Sequence, residues 1–136
     1  MTPTHVADAH ALLWYLFAPE RMGAAAASAM DRANAGEIAV VIPAVVLAEA
    51  MMVLEKQRLP GVDAARGRAT LRLLPTSRNW IVAPLTADTV LSSHAFAMIP
   101  DIFDRLIVTE ASLRRLPLLT KDGTIIASGA VTTVWD

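Results

Sequence analysis

The sequence predicts an α/β protein, a three-layer α/β/α sandwich around a mainly parallel sheet. Apolar segments of strand length alternate with helical segments along the chain, which is typical of a parallel sheet covered on both faces. Pro and Gly residues separate these segments at short intervals. Hydrophobic residues make up 54% of the 136 residues and aromatic residues only 5%, so we expect an aliphatic core. No linker or repeat is visible, so we expect a single domain over 1–136.

In the first half of the chain, two strands and three helices are expected. The strands are placed at 4–8 and 37–42, and the helices at 9–17, 23–34 and 43–58. The run EIAVVI is apolar almost throughout and lies between Gly36 and Pro43, which predicts a buried strand. Pro43 is expected as the first residue of the helix that follows, where proline is favoured.

The second half continues the alternation. Strands are expected at 80–85, 116–120 and 130–135, and helices at 62–75, 86–98 and 102–115. Thr86 is suited to cap the helix that follows it, and Asp88 falls in the first turn of that helix, where a negative charge is favourable.

Composition limits the class of protein. There is no cysteine, so disulfides and thiolate metal sites are excluded and secretion finds no support. The N-terminus does not have the pattern of a signal peptide. The apolar stretch 38–54 is shorter than a membrane span and contains Pro43, so we expect no membrane segment and a cytoplasmic protein. A net charge of −1 neither indicates nor excludes a nucleic-acid partner.

Acidic residues in apolar surroundings are the main functional signal. Asp8 ends the first strand, and Asp122 follows the strand at 116–120. Asp101 and Asp104 open a helix, and Glu49 lies about two turns into another. Because ligands bind at the carboxyl ends of parallel strands, several of these acids are expected at one edge of the sheet.

Each acid also has a structural interpretation when taken alone. Asp8, Asp101 or Asp122 could be a helix N-cap, and Asp104 could pair with Arg105. Taken together, the carboxylates would repel one another and take up protons unless a cation neutralised them. Oxygen ligands without cysteine select a hard ion such as Mg²⁺ or Mn²⁺. Such ions activate water and stabilise charge on phosphorus when phosphodiesters are split.

Four segments together resemble the PIN domain, and most of all the VapC toxins of bacterial toxin–antitoxin pairs. They are VADAHALLW, VVLAEAMMVLEKQRL, PDIFDRLIVTEA and PLLTKDGTI, and the resemblance covers nearly the whole chain. It implies a PIN-like α/β/α fold and a Mg²⁺- or Mn²⁺-dependent endoribonuclease with an RNA substrate, a cognate antitoxin and a homodimeric state. The helix that carries Glu49 departs from the pattern, because Val45, Val46 and Leu47 stand where a Ser or Thr is common.

The resemblance also implies roles for individual residues. Asp8, Glu49, Asp104 and Asp122 match the family's acidic residues, which act in catalysis and hold metal, and Asp101 matches an additional acid of one subgroup. Thr120 matches a small hydroxyl residue that orients a carboxylate or the attacking water. Arg105 matches the subgroup's arginine, with phosphate contact and a structural ion pair left open.

Basic residues are concentrated in the segment 56–78. Lys56, Arg58, Arg66 and Arg72 are candidates for contact with the RNA backbone, and a solvated helix face explains them equally well. Two other classes of function stay open. One is a phosphatase or phosphotransferase with Asp8 as nucleophile, although such enzymes usually have an acid where His10 stands. The other is a non-catalytic module in which the acids are caps and ion pairs.

Overall fold

The computed structural model describes residues 2–136, and these contain one five-stranded sheet. The strands are β1 (Pro3–Ala7), β2 (Ala39–Pro43), β3 (Trp80–Ala83), β4 (Leu118–Leu119) and β5 (Thr133–Val134). All neighbouring strands are parallel, and their order across the sheet is β3-β2-β1-β4-β5. The predicted α/β class with a parallel sheet is therefore confirmed.

Helices connect the strands throughout. They are α1 (Ala9–Phe17), α2 (Ala24–Asn34), α3 (Ala44–Glu55), α4 (Ala64–Leu73), α5 (Ala87–Ser92), α6 (Ile102–Arg114) and α7 (Gly123–Ser128). Short 3₁₀ helices occupy Pro19–Arg21, Leu74–Thr76 and Ser93–Phe96. Within residues 2–136, no helix has the length and apolar character needed to span a bilayer.

The burial of β2 shows that both faces of the sheet are covered. All five of its residues are buried, although neighbouring side chains on a strand point to opposite faces. Layers must therefore cover the sheet on both sides, as the three-layer prediction requires. The fully buried hydrophobic residues of the described chain are Ala, Val, Leu, Ile and Met, so the predicted aliphatic core is also confirmed.

The strand order creates a crevice beside β1. The chain leaves β1 towards β2 on one side, and it leaves β4 towards β5 on the other. Adjacent strands whose connections run in opposite directions leave a gap at their carboxyl ends, where α/β proteins bind ligands. Asp8 follows β1 and Asp122 follows β4 by three residues, so the topology brings both acids to this gap.

Several expected boundaries were wrong. Pro43 is the last residue of β2 and the N-cap of α3, because its extended backbone continues the pairing with β3. Helix α3 ends at Glu55, since Gln57 adopts a left-handed φ of 52°. The helices expected at 62–75 and 86–98 are shorter and continue as 3₁₀ turns. Helix α7 was missed because Asp122-Gly123 and Gly129 read as turn residues, whereas they cap a short helix.

Candidate metal centre

A cavity of about 290 Å³ lies in the crevice, and the five acids singled out from the sequence all line it. They are Asp8, Glu49, Asp101, Asp104 and Asp122. His10 and Arg58 also face this cavity, together with three apolar side chains. Residues from four parts of the chain thus meet at one place. Larger surface cavities exist, such as one of about 520 Å³ beside Arg115, but no acid lines that one.

Asp8 forms the floor of the cavity. It is only 4% exposed, and its Oδ1 accepts a hydrogen bond from the Ala11 N–H at 2.8 Å, which caps α1. Burial raises the pKa of the Asp8 carboxyl, and hydrogen bonds from the Thr120 hydroxyl and the Ala11 amide oppose that rise. The cap interpretation is therefore correct for Asp8, and it does not remove the residue from the cavity.

Asp101 and Asp122 also cap helices with one carboxylate oxygen, as Asp8 does. Asp101 Oδ1 accepts from the Asp104 N–H at 3.0 Å and caps α6, and Asp122 Oδ1 accepts from the Ile125 N–H at 2.9 Å and caps α7. Each cap uses one carboxylate oxygen, so the second oxygen is left for another partner. Three helix N-termini thus meet at the cavity, and their partial positive charge favours carboxylates there.

Glu49 and Asp104 cap no helix, and together with Asp101 they form the tightest acidic group. One carboxylate oxygen from each of the three lies within 4.8 Å of the others. This is the single group of that kind among residues 2–136, and neither Asp8 nor Asp122 belongs to it. The five predicted ligands therefore share a cavity, while only three of them approach one another this closely.

The electrostatic effects of this crowding are large. Burial raises the pKa of Asp104 to about 7, and the charges of Asp122, Asp101, Glu49 and Asp8 add to the rise. Burial likewise raises the pKa of Glu49, where a nearby histidine opposes it and the other acids reinforce it. Carboxylates that raise one another's pKa in this way are arranged to accept a cation.

Thr120 links the two acids of the sheet edge. It is fully buried, and its Oγ1 accepts a hydrogen bond from the Asp122 N–H at 3.0 Å while its hydroxyl bonds the carboxylate of Asp8. This arrangement fixes the direction of the hydroxyl proton. Thr120 therefore contacts Asp8, and its role in orienting this carboxylate or the attacking water stays a prediction.

The predicted basic residues separate into different places. Arg58 lines the acidic cavity, whereas Arg66 lines another surface cavity with residues of α1 and α4. Lys56 and Arg72 are exposed and line neither. Their contact with RNA stays a prediction.

Arg105 has backbone partners and not the neighbouring acid. Its guanidinium donates to the Ile99 carbonyl at 2.8 and 3.0 Å and to the Ala97 carbonyl at 3.3 Å. These bonds favour a structural role for Arg105, which fixes the turn that leads into Asp101. An ion pair with Asp104 is not among its contacts in the described chain.

His10 was not among the site residues predicted from the sequence. It nevertheless lines the cavity, and its charge opposes the rise in the pKa of both Asp8 and Glu49. The signal was available in its spacing: a side chain two residues after the N-cap still faces the start of the helix.

Comparison with known proteins agrees with the fold. A family model described as "PIN domain" matches residues 6–127. Among curated protein sequences, none matches the chain. Solved structures do resemble it over nearly its whole length.

Three of these structures illustrate the likeness. The structure of VapBC2 from Rickettsia felis, bound to a promoter DNA fragment, is 13% identical, has a TM-score of 0.69 and covers 98% of this chain and 99% of that one. A toxin–antitoxin complex from Klebsiella pneumoniae is 18% identical, with a TM-score of 0.60 and coverage of 96% and 97%. VapC20 of Mycobacterium tuberculosis, a Sarcin-Ricin loop cleaving toxin, is 22% identical, with a TM-score of 0.63 and coverage of 93% and 95%. At these identities the likeness establishes a shared fold.

Proposed function

The chain belongs to the PIN domain family, and from this premise we propose that it is a Mg²⁺- or Mn²⁺-dependent endoribonuclease that acts as the toxin of a toxin–antitoxin pair. One observation carries the proposal: five acids from separate parts of the chain line a single cavity at the carboxyl edge of the sheet. Helix capping accounts for three of these acids, but it does not account for Glu49 and Asp104 beside them.

The donor set fits a hard divalent cation. Glu49, Asp101 and Asp104 offer three carboxylate oxygens within 4.8 Å of one another, and Asp8 and Asp122 add oxygens on the sheet side. All of these ligands are oxygens, which Mg²⁺ and Mn²⁺ prefer. When bound, such an ion supplies activation of water and stabilisation of negative charge at phosphorus.

The chain's own residues have separable roles in this scheme. Asp8 is held by the Ala11 amide and by the Thr120 hydroxyl, so its carboxylate has a fixed orientation. Asp104 has a pKa of about 7 in the metal-free protein, so its proton must leave when a cation binds near neutral pH. Arg58 lines the same cavity, which supports its proposed contact with an RNA phosphate.

The two other classes of function fit less well. A nucleophilic Asp8 must reach its substrate, yet this side chain is 4% exposed and one of its oxygens already caps a helix. A non-catalytic module explains three acids as caps, but it leaves Glu49 and Asp104 without a structural purpose.

Partners are proposed from the surface and from the structural neighbours. Large apolar side chains are well exposed on several helices, which favours a protein partner. They include Leu73, Leu91 and Leu113. Two of the similar structures are toxin–antitoxin complexes. We therefore propose a cognate antitoxin, a homodimer and a cytoplasmic location.

Cleavage of RNA tests the activity. The purified chain is incubated with single-stranded RNA in Mg²⁺, Mn²⁺ or EDTA, next to the Asp8→Asn and Asp104→Asn variants. We expect cleavage only with metal and a loss of at least about a hundredfold in both variants, because each removes a charged ligand. Asp88→Asn is the matched control, since Asp88 is an exposed acid in a first helical turn outside the cavity. Equal rates in all four proteins would refute the proposal.

A further inference from the structure

The ring of Trp14 on α1 holds two cations beside the acidic cavity. The Arg21 guanidinium carbon lies 5.4 Å from the ring centroid, and the Lys121 Nζ lies 4.9 Å from it. Both distances are within the range of cation–π attraction. We call these three residues the Trp14 cluster. Its members come from α1, from the 3₁₀ turn after α1, and from the loop after β4.

The Trp14 cluster borders the candidate metal centre. Lys121 immediately precedes Asp122, which lines the cavity. His10 lines the cavity as well, and its ring centroid lies 5.3 Å from that of Trp14. The cations are therefore held at the rim of a pocket whose walls carry five carboxylates.

The way in which these cations are held leaves their charge unneutralised. The ion pairs of the described chain join Arg32 to Glu37 and Arg114 to Glu110, so neither cation of the Trp14 cluster takes part in one. An aromatic ring fixes a cation by its quadrupole and contributes no opposite charge. Arg21 and Lys121 are thus positioned and still able to bind an anion.

Trp135, which follows the edge strand β5, fixes the position of Trp14. The ring of Trp135 meets it edge-on at 5.8 Å, and the Trp135 carbonyl accepts a hydrogen bond from the Ala26 N–H at 3.0 Å. A ring held in this way presents its cations in a defined place. Flexible surface lysines and arginines would lose more side-chain entropy on binding.

The acidic pocket makes such cations necessary for a polyanionic substrate. Carboxylates repel RNA, and a bound cation offsets only part of their charge, so the phosphates on either side of the cleaved bond need positive partners. Arg58 is the basic residue that lines the cavity itself. Arg21 lies close to the segment that follows Arg58, because it lines a surface cavity with Leu59 and Pro60. Basic groups thus border the pocket on this side.

We infer that the Trp14 cluster binds backbone phosphates of single-stranded RNA next to the cleaved bond, with Arg21 and Lys121 as the contacts and Trp14 as the positioning residue. The inference rests on the proposed ribonuclease function, and it extends that function to the path of the substrate. An acidic peptide is the other polyanion that could bind here, and the experiment below separates the two.

The test measures binding and not cleavage. A fluorescently labelled RNA decamer is titrated with protein in EDTA, and the dissociation constant is followed as a function of KCl concentration. For single strands, the slope of log K against log salt is about −0.7 for each phosphate contact. Lys121→Ala and Arg21→Ala should each weaken binding about three- to tenfold and make the slope shallower by about 0.7.

Two further variants separate positioning from charge and from folding. Trp14→Leu keeps the net charge, and it should weaken RNA binding and make the salt slope shallower. Trp14→Phe keeps an aromatic ring, and it should retain most of the wild-type affinity and slope. Arg115→Ala is the matched control: it removes one exposed positive charge near the start of β4, at the opposite edge of the sheet. It should leave both the affinity and the slope unchanged.

The inference is overturned if Lys121→Ala and Arg21→Ala bind RNA with the affinity and slope of the wild-type protein. It is also overturned if a decaglutamate peptide displaces the RNA at equal charge concentration, because the cluster would then be a general site for carboxylates. These outcomes do not depend on cleavage. If the wild type cleaves RNA only with metal, while the Lys121→Ala and Arg21→Ala variants bind RNA as the wild type does, the proposed function stands and the inference fails. If the two variants bind RNA more weakly but no protein cleaves it, the inference stands and the proposed function fails.

Discussion

Removing the charge of Asp104 should stabilise the metal-free protein. The pKa of this carboxyl is raised from 3.8 to about 7 by burial and by the neighbouring acids. A group whose pKa is higher in the folded than in the unfolded state holds its proton more tightly when folded. The fold therefore loses stability as the pH rises from about 4 to about 7, and the whole penalty is present above that range. Asp104→Asn removes the penalty.

The magnitude follows from the same values. At 1.36 kcal/mol for each pKa unit, the interval from 3.8 to about 7 sets an upper limit of about 4 kcal/mol. Asp104 is only half-buried, so solvent screening reduces this to about 1–2 kcal/mol. The variant also loses a favourable charge in the first turn of α6, at a cost of about 0.5 kcal/mol. We expect a net gain of about 1 kcal/mol at pH 8, or about 3–5 °C in Tm.

Thermal unfolding in EDTA and in Mn²⁺ provides the assay. In EDTA, Asp104→Asn should unfold above the wild type at pH 8, and the difference should shrink at pH 5. With Mn²⁺ at about a hundred times its Kd, the wild type should gain about 2.7 kcal/mol and overtake the variant. Asp88→Asn removes a similar first-turn charge outside the cavity and should lose about 0.5 kcal/mol in both conditions. A metal-free variant less stable than the wild type at pH 8, or equal stabilisation of both by Mn²⁺, would refute the reasoning.

Three other outcomes are expected. The affinity for Mn²⁺ should increase between pH 6 and 8, because Asp104 must release a proton when the ion binds. Below pH 7 the increase should be up to about tenfold per pH unit. Isothermal titration calorimetry measures this affinity, and a value that does not change with pH would contradict the prediction. Thr120→Val should cost about 1–3 kcal/mol in denaturant unfolding, since the Asp122 N–H loses its buried acceptor, and Thr120→Ser should restore most of it. Arg105→Ala should cost about 1–3 kcal/mol in denaturant unfolding by freeing the Ile99 carbonyl. It should leave the RNA affinity unchanged, and weaker RNA binding would contradict the structural role.

The sequence was sufficient to predict the sheet and the meeting of the acids. Parallel strands place their carboxyl ends at one edge, so Asp8 and Asp122 were expected at the same edge once their strands were identified. That β4 lies directly beside β1, which makes the two acids neighbours, is known only from the structure. Apolar surroundings marked Glu49 and Asp104 as exceptional. The choice between a cap and a ligand could not be settled, because a carboxylate has two oxygens and Asp8 can serve as a cap and still face the cavity.

The remaining features depend on contacts that leave no local pattern in the sequence. Arg105 looks like a partner for the acid beside it, yet it turns to carbonyls several residues earlier. Trp14 was not among the predicted site residues, and the cations on its ring are Arg21, seven positions later, and Lys121, more than a hundred positions later. Such contacts follow from tertiary packing, which neither periodicity nor spacing reports.

The strand order has a consequence for how the protein is made. Because β4 pairs with β1, the crevice between them can form only after β4 has been synthesised. A nascent chain that does not yet include Asp122 lacks one of the five acids that line the cavity. The proposed metal centre would thus be incomplete until the segment that carries Asp122 has been synthesised and β4 has paired with β1.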